Sequence, residues 1–238
     1  MTRLIFLHGF PDSPTVWSHQ LNAFGAKAQC LTPQLHSLTF EQQMQKIQEL
    51  VGNQSSILIA HDMGGPVAVE FASRYPEFVE RLVLINSLSL SMFAQRMRTL
   101  EQLLRSSYMS VFVNPLVNTT TIKFMHKKIL NWIYDLGKLD ATDELRQGRA
   151  QVFDGLSRYK EMMWKLPGKV FEPGIPLGLP VHFIYGEKDP FLLKPTEKEA
   201  LRFFDNIHMH PMNAGHWPMR THPNELNSIL TGIIERKA

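Results

Sequence analysis

Asp62 has the setting of a side chain that can attack carbon: it stands where a buried strand gives way to a helix. It lies in Ala60-His61-Asp62-Met63-Gly64-Gly65, after the apolar run Ser55 to Ala60. Ala60 and Gly64 flank it at minus two and plus two. Small neighbours let a chain turn sharply there and project one side chain outward. The same aspartate also suits a helix N-cap, a role its type favours. Taken alone, the motif fits both readings.

Two later motifs separate them. Gly186-Glu187-Lys188-Asp189-Pro190 follows an apolar strand and offers a carboxylate able to orient an imidazole, although Asp-Pro is also an ordinary turn opener. Ala214-Gly215-His216-Trp217-Pro218 places His216 in a Gly/Pro-bounded loop after the last strand. Among ten histidines, a surface-loop residue is the plainer reading. Each motif is modest by itself. Asp62, Asp189 and His216 in that order, each behind its own strand, are far more specific: a nucleophile, an orienting acid and a base.

The elements that position these residues follow from periodicity. Leu4 to Leu7 is continuously apolar and reads as a buried strand, stopped by Gly9 and Pro11. Further strands are expected at Ala28 to Thr32, Ser55 to Ala60, Leu82 to Ile85, Val181 to Tyr185 and Ile207 to His210. Helical spacing links them: Phe40, Met44, Ile47 and Val51 on one face, then Val67, Phe71, Ala72 and Tyr75, then Pro195 to Phe204 and a last helix near 223–235. Alternation of this kind predicts a mostly parallel sheet with helices on both faces. It breaks between 89 and 175, which holds no convincing strand and is rich in Met, Leu, Phe, Trp and Tyr. The expected organisation is a core of 1–88 and 176–238 with a helical cap, 89–175, inserted after the fourth strand. Such a cap would sit over the carboxyl ends of the strands, where open sheets bind ligands.

Bulk properties narrow the function classes. A chain of 238 residues, 44% of them hydrophobic, can bury one sizeable core. The net charge of +3 comes without any dense Lys/Arg run, so neither nucleic acid nor a membrane is an expected partner. The single cysteine, Cys30, excludes an intrachain disulfide. No apolar stretch approaches the roughly 18 residues of a membrane span. The N-terminus has no signal-peptide pattern, and a cytoplasmic protein is expected. His208 and His210 share one face of a strand, but no third ligand is evident in the sequence, so no metal is expected.

Taken together, the motifs resemble the α/β-hydrolase superfamily over essentially the whole chain, and the α/β-hydrolase fold is expected. Within it, an aspartate nucleophile resembles the epoxide hydrolase and haloalkane dehalogenase branch. His8-Gly9-Phe10-Pro11 is similar to that branch's oxyanion-hole segment. The resemblance implies a cis peptide before Pro11, an oxyanion hole made by the N–H groups of Phe10 and Met63, and substrate contacts from Pro11 and Trp217. It also implies two cap tyrosines that hydrogen-bond an epoxide oxygen. Tyr108, in Tyr108-Met109-Ser110-Val111-Phe112-Val113-Asn114-Pro115, and Tyr159, in Arg158-Tyr159-Lys160, resemble those segments, although both also suit simple packing of cap on core.

The leaving group divides the branch. Attack by a carboxylate on a carbonyl would give an anhydride with little gain, whereas attack on saturated carbon gives an ordinary alkyl ester. Dehalogenases of the family resemble one another in a tryptophan after the nucleophile, where this chain has Met63, and one group has asparagine where this chain has Phe10. The expected activity is therefore opening of an epoxide to a diol through a covalent ester on Asp62, with no cofactor and with water and a small apolar organic molecule as substrates. The alternatives are haloalkane or haloacid dehalogenation, and a non-enzymatic ligand-binding protein on the same fold.

Overall fold

Among the described residues, six short segments form parallel strands. They are β1 (Arg3–Leu7), β2 (Gln29–Leu31), β3 (Ser56–His61), β4 (Val79–Ile85), β5 (Val181–Gly186) and β6 (Ile207–Met212), in the sheet order β2-β1-β3-β4-β5-β6. The computed structural model describes residues 1–109, 128, 131–139 and 179–236. Every described strand pair is parallel, so the expected mostly parallel sheet is wholly parallel here.

Alternation of side chains across the pleat, with both faces covered, explains the apolar runs of the central strands β1, β3 and β4. Leu4, Phe6, Ile57, Ile59, Val83, Ile85 and Ile184 pack on one face, with Trp17, Leu226, Leu230 and Ile233. Ile5, Leu7, Leu58, Ala60, Leu82, Leu84 and Phe183 pack on the other, with Met44, Ile47, Val51 and Phe71. The first face is covered by α1 (Ser18–Phe24) and the C-terminal helix Pro223–Glu235. The second is covered by α2 (Phe40–Val51) and α3 (Gly64–Arg74). Thr39 starts α2 with a reciprocal capping box to Gln42. Helices leave β1 and β3 toward opposite faces, so the crevice at their carboxyl ends lies where the sheet reverses its winding.

Two elements differ from expectation. β4 begins at Val79 because the Ser56–Val79 pairing precedes a register irregularity between Ser56 and Ile57. The helix expected over 195–204 is only Glu197–Ala200; turns follow it and bury Phe204 against Phe183, with ring centroids 5.6 Å apart.

Within 89–175, the described residues include α4 (Leu90–Arg96), α5 (Leu100–Arg105) and a helical stretch at 131–136. Ser89 caps α4 by accepting the Met92 N–H at 3.2 Å. Tyr159 lies outside the described residues. Among the described residues, no helix is long and apolar enough to cross a membrane.

Candidate active site

Asp62 occupies the turn between β3 and α3 with φ 49°, a left-handed conformation uncommon for any residue but glycine. Its neighbours make room for it. A Cβ on Gly64 would meet the Leu7 carbonyl oxygen at 2.5 Å, and one on Gly65 would meet Ser87 Oγ at 1.8 Å. A Cβ on Gly9 would fall 2.4 Å from Asp62 itself. The loops after β1, β3 and β4 therefore converge without side chains between them. Ser87 donates its hydroxyl to the Asp62 carbonyl, and Gly65 N–H donates to the same oxygen at 3.0 Å. Asp62 is thus a residue of the elbow itself, while Met63 is the N-cap of α3.

The carboxylate meets a donor from the β1 loop. Phe10 N–H donates to Asp62 Oδ1 at 2.9 Å. The Phe10–Pro11 peptide is cis, as the resemblance implies. Met63 stands at the entrance of α3, where the first N–H groups of a helix have no intrahelical partner. His8 is buried and locked: Nδ1–H donates to the Gly9 carbonyl at 3.0 Å, and Nε2 accepts the Leu35 N–H at 3.1 Å. Its burial lowers its pKa to about 4.

His216 joins Asp62 to Asp189. Its Nδ1–H donates to Asp189 Oδ2 at 2.7 Å, and its Nε2 stands 3.8 Å from Asp62 Oδ2. Asp189 Oδ1 accepts the N–H groups of Phe191 and Leu192 at 2.8 and 3.2 Å, so both acid oxygens are engaged. Burial would push the His216 pKa down. The charge and hydrogen bond of Asp189, then the charges of Asp62 and Asp12, outweigh burial and leave it raised. The three residues read from separate motifs are one constellation.

Asn86 fastens the two loops behind it. At φ 41°, just beyond β4, its Oδ1 accepts Gly186 N–H at 2.7 Å. Its Nδ2 donates to the carbonyls of Gly215 and His216, both at 2.9 Å. One side chain thereby ties the strand end before Asp189 to the loop bearing His216. No motif marks Asn86 in the sequence; its place at the carboxyl end of β4 is the one signal it offers. Three long side chains from α4 and α5 hold the acid loop from the other side. Arg96 donates to the Leu193 and Lys194 carbonyls at 3.0 and 2.7 Å, Gln102 to Phe191 at 2.9 Å, and Arg105 to Asp189 at 2.6 Å.

Asp62 opens into a cavity of about 380 Å³. Phe10, Met63, Leu90, Phe93 and Met97 make its wall largely apolar, and Tyr108 lines the same space. The Tyr108 ring packs against Phe191, centroids 5.1 Å apart, and Phe191 in turn packs against His216 at 5.0 Å. Pro11 and Trp217, expected to touch substrate, are buried and are not among the described residues lining this cavity. Trp217 is drawn behind His216 because its indole N–H donates to the buried Asp12 at 3.0 Å.

The histidine pair on β6 has a neighbour that the sequence did not reveal. Parallel register sets His182 of β5 beside His208. His182 also shares a hydrogen bond with His210, the two nitrogens 3.0 Å apart. Burial, followed by His208, His210, Arg81 and Arg236, lowers the His182 pKa to about 3. Among the described residues, no group of three ligating side chains is arranged to hold a metal ion.

Comparison with known proteins agrees with this architecture. The model of the alpha/beta hydrolase family matches residues 4–229. Epoxide hydrolase 3 of Mus musculus is 24% identical over 98% of this chain and 70% of its own length. Epoxide hydrolase 1 of Caenorhabditis elegans is 30% identical over 98% of this chain and 65% of its length. The fold superposes on an epoxide hydrolase of Bacillus megaterium with TM-score 0.78, 23% identity, and coverage of 99% of this chain and 94% of that one. A bacterial membrane phospholipase A shares the fold with TM-score 0.69 at 17% identity, over 98% of this chain and 78% of that one, so fold by itself does not name the reaction. The chain belongs to the alpha/beta hydrolase family and is a hydrolase of epoxide-hydrolase-like kind.

Proposed function

We propose that this protein opens an epoxide on a small apolar molecule, using Asp62 as nucleophile and passing through a covalent ester. The observation that carries the reading is a carboxylate at the elbow, facing an apolar cavity with Tyr108 on its wall and a His216–Asp189 pair behind it. The similarity to epoxide hydrolases supports the same choice.

In the first step an Asp62 oxygen attacks a ring carbon, and the carbon–oxygen bond of the strained ring breaks. The departing alkoxide takes a proton from Tyr108 and is held there, with Tyr159 as the second donor. The apolar wall keeps competing water away from the attacking carboxylate.

Ester formation then switches on the base. The Asp62 charge helps to hold a proton on His216, and alkylation removes that charge. Without it the neutral imidazole, the form able to take a proton from water, is favoured. It deprotonates water as the oxygen attacks the Asp62 carbonyl carbon, and the Phe10 and Met63 N–H groups receive the oxyanion. Collapse breaks the bond between the acyl carbon and the diol oxygen; the leaving alkoxide takes the hydroxyl proton of the newly formed Asp62 carboxyl, which frees the diol and regenerates the carboxylate. The proton on His216 returns through solvent to the phenolate. Asp189 holds the tautomer and balances the imidazolium.

The His216→Gln protein incubated with styrene oxide is the test. Its intact mass is expected to rise by that of the epoxide, with the adduct on the peptide containing Asp62. In a single turnover of the native protein in heavy-oxygen water, the label is expected in the Asp62 carboxylate rather than in the diol. Adducts formed only from haloalkanes, with halide release, would move the reading to dehalogenation. Diol formation that survives Asp62→Ala would overturn it.

A further inference from the structure

A second acid–imidazole pair lies directly behind His216. Asp12 and His61 are both fully buried. Asp12 Oδ2 accepts the Trp217 indole N–H at 3.0 Å and faces His61 Nδ1 at 3.4 Å. His61 Nε2 lies 2.9 Å from the carbonyl oxygen of His216, and the two imidazole rings are 4.7 Å apart. A carbonyl oxygen only accepts, so the His61 Nε2 carries the hydrogen. Its Nδ1 then faces the buried Asp12 carboxylate.

Neither residue is among the described residues lining the cavity. Their contacts instead converge on one dipeptide. We propose that Asp12 and His61 are a positioning pair for the ester-hydrolysis half-reaction, gripping His216 by its carbonyl and Trp217 by its indole. The inference rests on the carboxylate-nucleophile reading above and deepens it.

The geometry gives the grip a purpose. His216 hydrogen-bonds Asp189 through one ring nitrogen, which fixes one point of the imidazole but leaves the ring free to pivot about that bond. Its carbonyl is held from two sides, by His61 and by Asn86, each at 2.9 Å. Trp217 meets the imidazole edge-on, with centroids 4.9 Å apart and planes at 86°. Fixing Trp217 through Asp12 therefore also sets the wall against which the imidazole rests. The titratable groups that face His216 among the described residues are Asp189, Asp62, Asp12 and His61. Asp12 thus adds a negative charge that does not change during the reaction, unlike that of Asp62.

The predicted signature is confined to the second half-reaction, because His216 does not act in the first. Asp12→Asn keeps an oxygen to accept the Trp217 N–H and removes the charge. His61→Gln keeps an N–H for the His216 carbonyl, whereas His61→Ala removes it. Rapid-mixing measurements with styrene oxide separate ester formation from ester breakdown. In Asp12→Asn, breakdown is expected to slow by about tenfold or more, with formation nearly unchanged and ester accumulating. The acid limb of breakdown is expected to move to lower pH. His61→Gln is expected to retain much of the breakdown rate that His61→Ala loses.

NMR titration of the His216 imidazole in the substrate-free native and Asp12→Asn proteins provides a readout independent of turnover. Its midpoint is expected to fall in the variant. An unchanged midpoint, or equal slowing of both half-reactions without a shifted acid limb, would overturn the proposal. A native protein forming no ester on Asp62 would instead strike the nucleophile reading, and the titration would still decide whether Asp12 acts on His216.

Discussion

His216 Nδ1 lies 2.7 Å from Asp189 Oδ2, with both residues buried. The same imidazole stands 3.8 Å from Asp62, beyond hydrogen-bond length. The imidazole is therefore bound to Asp189 and only faces Asp62, the nucleophile proposed above. Asp189→Asn preserves the shape but removes the charge and allows the wrong tautomer. A fall in kcat of about 10²–10⁴ is expected. The acid limb of ester hydrolysis should move to lower pH, because the charge that raises the His216 pKa has gone. A pH profile of single-turnover hydrolysis checks both effects.

Tyr108 shares the cavity with Asp62, and its proposed task belongs to ring opening alone. Tyr108→Phe keeps the packing on Phe191 and removes the proton donor. Ester formation from styrene oxide should slow by about 10–10², while breakdown of preformed ester stays near the native rate. Equal rates of formation in the two proteins would show that the tyrosine only packs.

Two glycines offer opposite stability outcomes. A methyl group on Gly64 would lie 2.5 Å from the Leu7 carbonyl oxygen, where backbone must move. Gly64→Ala is expected to destabilise the protein by about 1–3 kcal/mol and to displace Asp62. Gly232 lies within the helix Pro223–Glu235, with nothing within 4 Å of an added methyl. Gly232→Ala should stabilise by about 0.5–1 kcal/mol, through helix propensity alone. Thermal unfolding of the two variants beside the native protein checks both signs.

Acid should weaken the fold before carboxylates titrate. Burial is the leading cause that lowers His8 to about 4 and His182 to about 3 from an ordinary 6.5. The unfolded chain binds these protons first, so stability is fully present above pH 6.5 and falls as pH drops toward the folded values. For His8, a drop from 6.5 to about 4 corresponds to ~3 kcal/mol at most. His216 has the opposite sign, since its raised pKa adds stability at low pH that is lost on going alkaline. Denaturant midpoints measured from pH 7 to 4 should fall, and replacing His8 by Gln, which keeps donor and acceptor, should flatten the slope.

The sequence alone determined the central strands, because a strand covered on both faces must be continuously apolar, and Leu4 to Leu7 and Leu82 to Ile85 are. It also determined the elbow at Asp62 and the order of Asp62, Asp189 and His216, because small residues, turn residues and strand ends are local signals. Only the tertiary structure decided which polar residues serve them. Asn86, Asp12 and His61 act on partners 100 or more residues away, as in Asn86 to Gly186, His61 to His216 and Asp12 to Trp217. A hydrogen bond across the sheet leaves no periodicity in the chain. The same limit hid the bond from the Trp217 indole to Asp12, and hid His182 from the histidines of β6. Strand register, a property of the assembled sheet, brought those residues together.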